Sequence, residues 1–175
     1  MARLGYAEYA RLPDDGRRYE IIDGALHVSP APRPRHQTVS RRLQFALYTA
    51  LELEQGGQLY NAPIDVLLGP HDIVQPDLVY LTADQLHLVT DRAIEGVPAL
   101  VVEILSPSTR RRDVLVKSEV YRRYGVPRYW MVDPEIDRIE GLLLAEGAYR
   151  PEFVASSPEV IPALGVPLDL GAIFA

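Results

Sequence analysis

The chain has 175 residues, of which 47% are hydrophobic and 24% charged, as in an ordinary globular domain with its own core. The net charge of −6 argues against a general nucleic-acid coat protein, which would be basic. Cysteine is absent, which excludes disulfides, iron–sulfur clusters and thiolate zinc sites. No signal core and no stretch of bilayer length is found, so we expect a cytoplasmic protein with no membrane partner, built as one domain over residues 1–175.

Hydrophobic periodicity and turn residues divide the chain into strands and helices. The clearest helix spans 37–54, where apolar residues recur every three or four positions before Gly56-Gly57 ends it. The strand over 100–105 is strongly apolar and is expected in the centre of a sheet. The other predicted elements are helices over 6–12, 82–89 and 108–124 and strands over 18–23, 25–29, 58–68, 74–81, 129–132, 138–144 and 149–154. This pattern predicts a mixed α/β domain with a curved sheet, two main helices and an irregular tail after Pro158.

Three acidic residues lie in segments that have the pattern of buried strands, namely Glu20, Asp77 and Glu103. A buried charge is costly unless it is paired, hydrogen-bonded or bound to a metal. Because strand side chains alternate, Gln75 is expected on the same face as Asp77. Three such acids indicate a site where charge is concentrated for function.

Lys117 is the only lysine among 18 basic residues. Arginine can replace lysine on a solvated surface, but not where a compact ammonium is needed. We expect Val116, Val120 and Tyr124 to form the buried stripe of this helix, with Lys117 at its edge and its ammonium directed toward the preceding strand. A surface ion pair with Asp113, four residues earlier, is the simpler alternative.

The scarcity of heat-sensitive residues and the 15 prolines indicate a heat-adapted source, although a GC-rich genome explains the excess of arginine equally well. Oxygen ligands without cysteine favour magnesium or manganese over zinc. Two or three acids with a lysine are what metal-assisted phosphodiester hydrolysis requires, because the ammonium can offset charge on phosphorus or orient the attacking water. The residues alone therefore point to a nucleic-acid substrate and a Mg (or Mn) cofactor.

An ordered series of motifs runs through most of the chain. It comprises Tyr19-Glu-Ile-Ile-Asp-Gly24, His36 before a long helix, Gln75-Pro-Asp-Leu78, Val102-Glu-Ile-Leu-Ser-Pro-Ser108, Asp113 with Lys117 and Tyr121, and Gly125-Val-Pro-Arg-Tyr-Trp-Met-Val-Asp133. From residue 6 to 149 this series resembles the Uma-type endonuclease family. That family belongs to the restriction-endonuclease-like superfamily, which is named for its Pro-Asp…(Asp/Glu)-X-Lys motif.

The resemblance implies a restriction-endonuclease-like core, in which a curved mixed sheet is flanked by helices and preceded by an N-terminal hairpin. It implies that Asp77 and Glu103 bind metal, that Glu20 is an additional metal-binding acid, and that Lys117 is catalytic. The superfamily lysine should stand two residues after Glu103, where this chain has Leu105, so Lys117 on the next helix is the matching ammonium. The auxiliary candidates are His36, Gln75, Asp113 and Tyr121.

Three functions stay open at the level of the sequence. The first is a magnesium-dependent endonuclease that cuts DNA, and the second is a nuclease-like fold with little or no cleavage that serves as a binding or regulatory module. The third is a phosphodiesterase acting on RNA or on small nucleotides. Tyr6, Tyr9 and the apolar tail over 166–174 would serve either a homo-oligomer interface or the core, whereas Tyr129 and Trp130 are expected in the core.

Overall fold

Short strands and helices alternate along residues 3–175, the part of the chain that a computed structural model describes. The strands are, in chain order, β1 (Arg18–Ile22), β2 (Ala25–Ser29), β3 (Gln58–Asn61), β4 (Val66–Gly69), β5 (Asp72–Val74), β6 (Leu78–Leu81), β7 (Ile94–Glu95), β8 (Leu100–Ile104), β9 (Arg128–Asp133), β10 (Arg138–Ala145), β11 (Ala148–Ser156), β12 (Val160–Ala163) and β13 (Val166–Asp169). β1 and β2 form the expected antiparallel hairpin, with the turn at Asp23-Gly24.

Helices occupy most of the predicted positions, and two of them contain π-helical turns. The helical segments are α1 (Tyr6–Tyr9), α2 (Pro34–Leu47) with a π-helical continuation (Tyr48–Leu53), a 3-10 helix (Ala83–Leu88), a π-helical turn (Arg112–Lys117) that leads into α3 (Ser118–Tyr124), and α4 (Leu170–Phe174). α2 begins three residues before the prediction, because proline is well suited to the first helical position. α3 ends at Gly125, whose φ of 80° is accessible to glycine without strain.

The strands form two larger sheets and one small hairpin within residues 3–175. The first sheet has the order β2-β1-β5-β4-β7, and the second has the order β11-β10-β9-β8-β6-β3. β8 lies between β6 and β9, antiparallel to the former and parallel to the latter, so the predicted central position of this apolar strand is confirmed. The mixed sheets flanked by helices confirm the predicted fold class.

The second sheet buries apolar side chains on both of its faces. One face carries Val102 and Trp130 and packs against α2 and the tail, in a cluster that includes Leu43. The other face carries Val101 and Tyr129 and packs against α3 and the first sheet. Both Tyr129 and Trp130 are fully buried, so the expectation that they serve the core is confirmed.

Two predicted long strands are each broken into two, and this corrects the sequence prediction. The segment 58–68 divides into β3 and β4, which lie in different sheets. Of the segment 74–81, only Val74 belongs to β5, which begins at Asp72, and the last four residues form β6 in the other sheet. Pro63 and Pro76 lie at the breaks, where a residue without an N–H cannot continue the ladder. Asp77 therefore precedes β6 instead of lying within a strand.

The tail after Pro158 was predicted to be irregular, and this prediction is wrong. It forms the hairpin of β12 and β13, followed by α4. Leu168, Leu170 and Phe174 are buried against the α2 face of the second sheet, so burial of apolar area supplies the order that periodicity did not reveal. Over residues 3–175, no helix combines the length and apolar character needed to cross a membrane.

Candidate active site

The three acids singled out in the sequence come from three different elements and meet at one place. Glu20 lies on β1, Glu103 lies on β8, and Asp77 lies directly before β6. β6 and β8 pair with Leu78 opposite Val102, so Asp77 and Glu103 follow at the next register position. The backbone N–H of Ile104 donates a 2.8 Å hydrogen bond to Oδ2 of Asp77, which fixes the aspartate beside the end of β8.

Lys117 lies in the middle of this acidic cluster. Its Nζ is 2.7 Å from Oε1 of Glu103 and 2.7 Å from Oε1 of Glu20, and the side chain is buried. Asp113 is the more distant third acid, at 3.8 Å from Nζ to Oδ1. The interpretation of Lys117 as a simple surface pair with Asp113 is therefore excluded by its burial and by the two closer carboxylates.

The predicted buried stripe of the Lys117 helix is confirmed for Val120, which is buried, and Tyr124 packs partly buried against the same cluster, but the prediction is wrong for Val116. Val116 is 38% exposed, whereas Asp113, Lys117 and Tyr121 face inward with Val120. A lysine can face the core here because carboxylates on other elements offset the cost of desolvating its charge. Asp113 and Lys117 lie in the π-helical turn (Arg112–Lys117). Such a turn is a local irregularity that is frequent at functional sites.

Burial and mutual charge shift the pKa values of these groups in different directions. Burial raises the pKa of Glu103 to about 8; Lys117 opposes this shift, and the neighbouring acids, Asp113 first among them, add to it. Burial alone would lower the pKa of Lys117, but Glu103, Glu20 and Asp113 outweigh it and raise the pKa above its ordinary value. Three carboxylates share the buried ammonium, and the guanidinium of Arg112 lies 3.7 Å from Oε2 of Glu20, so a further cation would favour ionisation of Glu103.

Asp77 differs from Glu103 because its charge is well compensated. Burial opposes its ionisation, yet contact with His36, the charge of Arg18 and the Ile104 N–H hold the pKa of Asp77 at about 2. Nη1 of Arg18 donates to Oδ1 at 2.7 Å, and Nε2 of His36 lies 3.2 Å from Oδ2. Asp77 is therefore ionised throughout the physiological pH range.

The auxiliary candidates occupy distinct positions around these groups. The hydroxyl of Tyr121 donates to Oε1 of Glu103 at 2.7 Å, and the backbone N–H of Gln75 donates to Oε1 of Glu20 at 2.9 Å. The Gln75 side-chain amide donates to Tyr9 and Asp65, and Gln75 lines the same cavity as Asp77. This Tyr9 contact also shows that the tyrosine has a role within the chain.

A cavity of about 300 Å³ joins these groups to solvent. Its floor is formed by the acids and Lys117, and one rim is the proline-rich loop at 30–33. The opposite rim comes from the loop after β8, where Ser106, Ser108 and Thr109 lie. A substrate group that enters between these rims would meet the acid cluster directly.

Two arginines at this cavity were not identified as site residues from the sequence. Arg18 pairs with Asp77, and Arg112 has its Nη2 at 3.7 Å from Oε2 of Glu20. One signal for Arg18 was present, because it stands two residues before Glu20 on β1 and strand alternation puts both on one face. Arg112 adjoins Asp113 in the sequence, but that position alone does not distinguish it from its arginine neighbours.

Leu105, at the position where the superfamily motif has its lysine, is not among the side chains that line the acid cavity. It is 6% exposed and lines a separate cavity with Val114 and Met131. An ammonium at this position would enter that other cavity. The helix is therefore the element from which a lysine reaches the acids in this fold.

The donor set is suited to a hard divalent cation, although the side chains do not form a complete cage. Among residues 3–175, no three His, Asp or Glu side chains converge closely enough to hold an ion by themselves. Magnesium usually takes only one or two carboxylates and completes its coordination with water and substrate phosphate. Within the described residues Oε2 of Glu103 receives no hydrogen bond, and Asp77 lines the same cavity, so these two acids fit that pattern.

Comparison with known proteins shows the fold and the family of the chain. A crystal structure described as a putative nuclease belonging to DUF820, from Anabaena variabilis, has a TM-score of 0.79 and covers 98% of this chain and 97% of its own. At 17% identity that likeness shows a shared fold. No curated protein matches the chain. The model of the Uma2 family, described as putative restriction endonuclease, matches residues 6–172, and the chain therefore belongs to this family of restriction-endonuclease-like nucleases.

Proposed function

We propose that the protein is a magnesium- (or manganese-) dependent endonuclease that hydrolyses phosphodiester bonds in DNA. The observation that carries the proposal is the buried ammonium of Lys117, 2.7 Å from both Glu103 and Glu20, at the base of a cavity that Asp77 also lines. Membership in a family of restriction-endonuclease-like nucleases supports this reaction class.

In this proposal Asp77 and Glu103 hold the ion, with Glu20 as the additional acid. When bound, the ion supplies Lewis-acid polarisation of the phosphoryl oxygens and lowers the pKa of water. Oε2 of Glu103 is the oxygen available to it, because Oε1 already accepts hydrogen bonds from Lys117 and Tyr121. These two donors hold the glutamate in one orientation.

Lys117 serves as the electrostatic group of the site. Its ammonium has three donors, two of which are directed at Glu103 and Glu20, so one remains to orient a water or to offset charge on the phosphate. Arg112 and Arg33 line the same cavity, and guanidinium groups are suited to pair with phosphate oxygens. DNA binding then depends on local positive charge at this cavity despite the net charge of −6.

The test combines cleavage with metal binding. We expect the wild-type protein to nick supercoiled plasmid in magnesium, and Glu103→Ala and Lys117→Arg to reduce the rate by about 100-fold or more, as loss of an electrostatic catalytic group does. The exposed neighbour Arg111 provides the matched control Arg111→Lys, which should cut at the wild-type rate. A wild-type protein that neither gains heat stability with Mn²⁺ nor nicks DNA would contradict the proposal.

A binding or regulatory module is the second candidate, and one observation favours it. Each acid that would hold an ion already has a cationic partner, Arg18 on Asp77 and Lys117 on Glu103. A nuclease-like fold that has lost its metal could be stabilised by such pairs. Tight DNA binding without metal, combined with no cleavage of DNA or RNA, would favour this candidate; metal binding with cleavage of RNA alone would favour a ribonuclease.

A further inference from the structure

The contact between Arg18 and Asp77 differs in kind from the other contacts of that carboxylate. Oδ2 of Asp77 accepts from the backbone of Ile104, which β8 holds in place, and lies 3.2 Å from Nε2 of His36, whose side chain is 11% exposed. Among the described residues, Oδ1 accepts a hydrogen bond from Nη1 of Arg18 alone. Within residues 3–175 this guanidinium forms no other ion pair or hydrogen bond, and the Arg18 side chain is 24% exposed at the cavity mouth. It is the exchangeable partner of Asp77.

A cation shared by Asp77 and Glu103 would compete with Arg18 for the same charge. Two positive groups on one carboxylate repel each other strongly in a partly desolvated site. Neither the backbone N–H of Ile104 nor the buried Lys117 can leave without unfolding local structure, whereas Arg18 reaches in from the rim. Loading of the site therefore requires movement of Arg18.

The structure provides a place for the displaced side chain. A second, smaller cavity of about 80 Å³ adjoins Asp77 and is also lined by Arg18. Its other walls include the polar side chains of Gln37, Ser40 and Asn61, together with His36 and the cationic side chain of Arg41. A rotation of the Arg18 side chain away from Oδ1 toward this cavity keeps the guanidinium near polar groups, and a second arginine beside it gives a locally positive place that suits a phosphate.

We propose that Arg18 is a removable counter-cation: it neutralises Asp77 in the metal-free protein, leaves Oδ1 when a divalent ion binds, and then pairs with a phosphate of the nucleic acid. The inference rests on the proposed metal-dependent function and adds a regulatory step to the same site. Arg18 thereby keeps the empty site folded and makes substrate binding depend on metal.

The first arm of the test measures Mn²⁺ affinity by calorimetry without nucleic acid. Removal of one like charge beside the ion should tighten Mn²⁺ binding by about tenfold in Arg18→Gln. Arg18→Lys, which keeps the charge, should remain near wild type, and so should Arg17→Gln at an exposed position whose arginine pairs with Asp15. Arg18→Met, which keeps most of the aliphatic stem, is the second neutral variant should Arg18→Gln not fold.

The second arm measures binding of a short DNA duplex at saturating Mn²⁺ by stopped-flow anisotropy, before cleavage proceeds. The neutral variants should bind DNA about tenfold more weakly than wild type, because one phosphate contact is lost. If Arg18 had only a structural role, replacing it would not both tighten metal binding and weaken DNA binding.

The outcomes separate this inference from the proposed function. If wild type cleaves DNA with metal but neutral variants bind Mn²⁺ no more tightly than wild type, the role of Arg18 is overturned and the nuclease stands. If neither wild type nor the neutral variants bind Mn²⁺, both proposals fall. If only the neutral variants bind Mn²⁺, Arg18 blocks the site permanently, and the claim that the ion displaces it is overturned.

Discussion

At the scale of single residues, the site is governed by an imbalance of charge. Glu20, Glu103 and Asp113 surround the single ammonium of Lys117, and all four groups are buried. Breaking a buried pair is costly because it leaves an uncompensated charge. The pKa of Glu103 is raised to about 8 by burial, an effect that Lys117 opposes and the nearby acids reinforce, so this acid keeps its proton in the metal-free protein near neutral pH.

This raised pKa predicts how the stability of the metal-free protein changes with pH. Between the ordinary value of 4.5 and about 8, folded Glu103 holds a proton that the unfolded chain has released. The free energy of unfolding should therefore fall as pH rises through that window, by at most about 1.4 kcal/mol per pH unit. The glutamine in Glu103→Gln cannot ionise. The free energy of unfolding of this variant should therefore increase relative to that of wild type as pH rises.

Urea denaturation in a chelator, at several pH values between about 5 and about 8, provides the measurement. The exposed Glu54 gives the control Glu54→Gln, which should follow the wild-type profile. Parallel profiles for wild type and Glu103→Gln would mean that Glu103 is ionised throughout, and would contradict the charge imbalance.

At the scale of elements, the break between β5 and β6 and the π-helical turn before α3 assemble the site. The break lets the backbone of Gln75 hold Glu20 while Asp77 lies beside β8. The π-helical turn supplies the ammonium of Lys117. The position just after β8 does not supply it, because that position is Leu105, which lines a different cavity. The position of the lysine on the helix is therefore a consequence of where each element points.

A relocation of the ammonium tests this assignment. The double variant Leu105→Lys with Lys117→Leu restores the superfamily spacing, but its new ammonium should enter the cavity beside Met131 and remain away from Glu103. We expect plasmid nicking to stay about 100-fold or more below wild type, as in the single variant Lys117→Leu. Recovery of cleavage in the double variant relative to the single one would show that the strand position can also supply the catalytic charge.

At the scale of the whole molecule, the six-stranded sheet is shared by two apolar clusters, one on each face. The cluster on the α2 face contains Trp130, and the cluster on the α3 face contains Tyr121 and Tyr129. Because the same strands contribute to both clusters, neither face can lose its packing without exposing the other. We propose on this ground that the chain folds as a single domain.

A single cooperative unfolding transition is the expected result. Fluorescence of Trp130 reports the first cluster, near-ultraviolet dichroism of the buried tyrosines reports mainly the second, and far-ultraviolet dichroism reports the backbone. These three signals should change at the same urea concentration, as in a two-state domain. Separate midpoints for the tryptophan and tyrosine signals would contradict a single domain.

Part of this architecture follows from the sequence alone. The Asp23-Gly24 turn predicts the hairpin, and the apolar run at 100–105 predicts a central strand, because turn chemistry and hydrophobic runs act over a few residues. The acids and the single lysine could be singled out because charge in an apolar pattern has a cost wherever it folds. The ordered motifs around them identified the family.

The tertiary structure decided the rest. It turned Lys117 to the centre of the buried face, because the carboxylates that offset its desolvation lie 97 and 14 residues away along the chain, at Glu20 and Glu103 (117 − 20 and 117 − 103). It also paired Arg18 with Asp77, and it ordered the apolar tail by burying it on the core. Local periodicity carries no information about such distant partners, and the free energy of burying a charge depends on them.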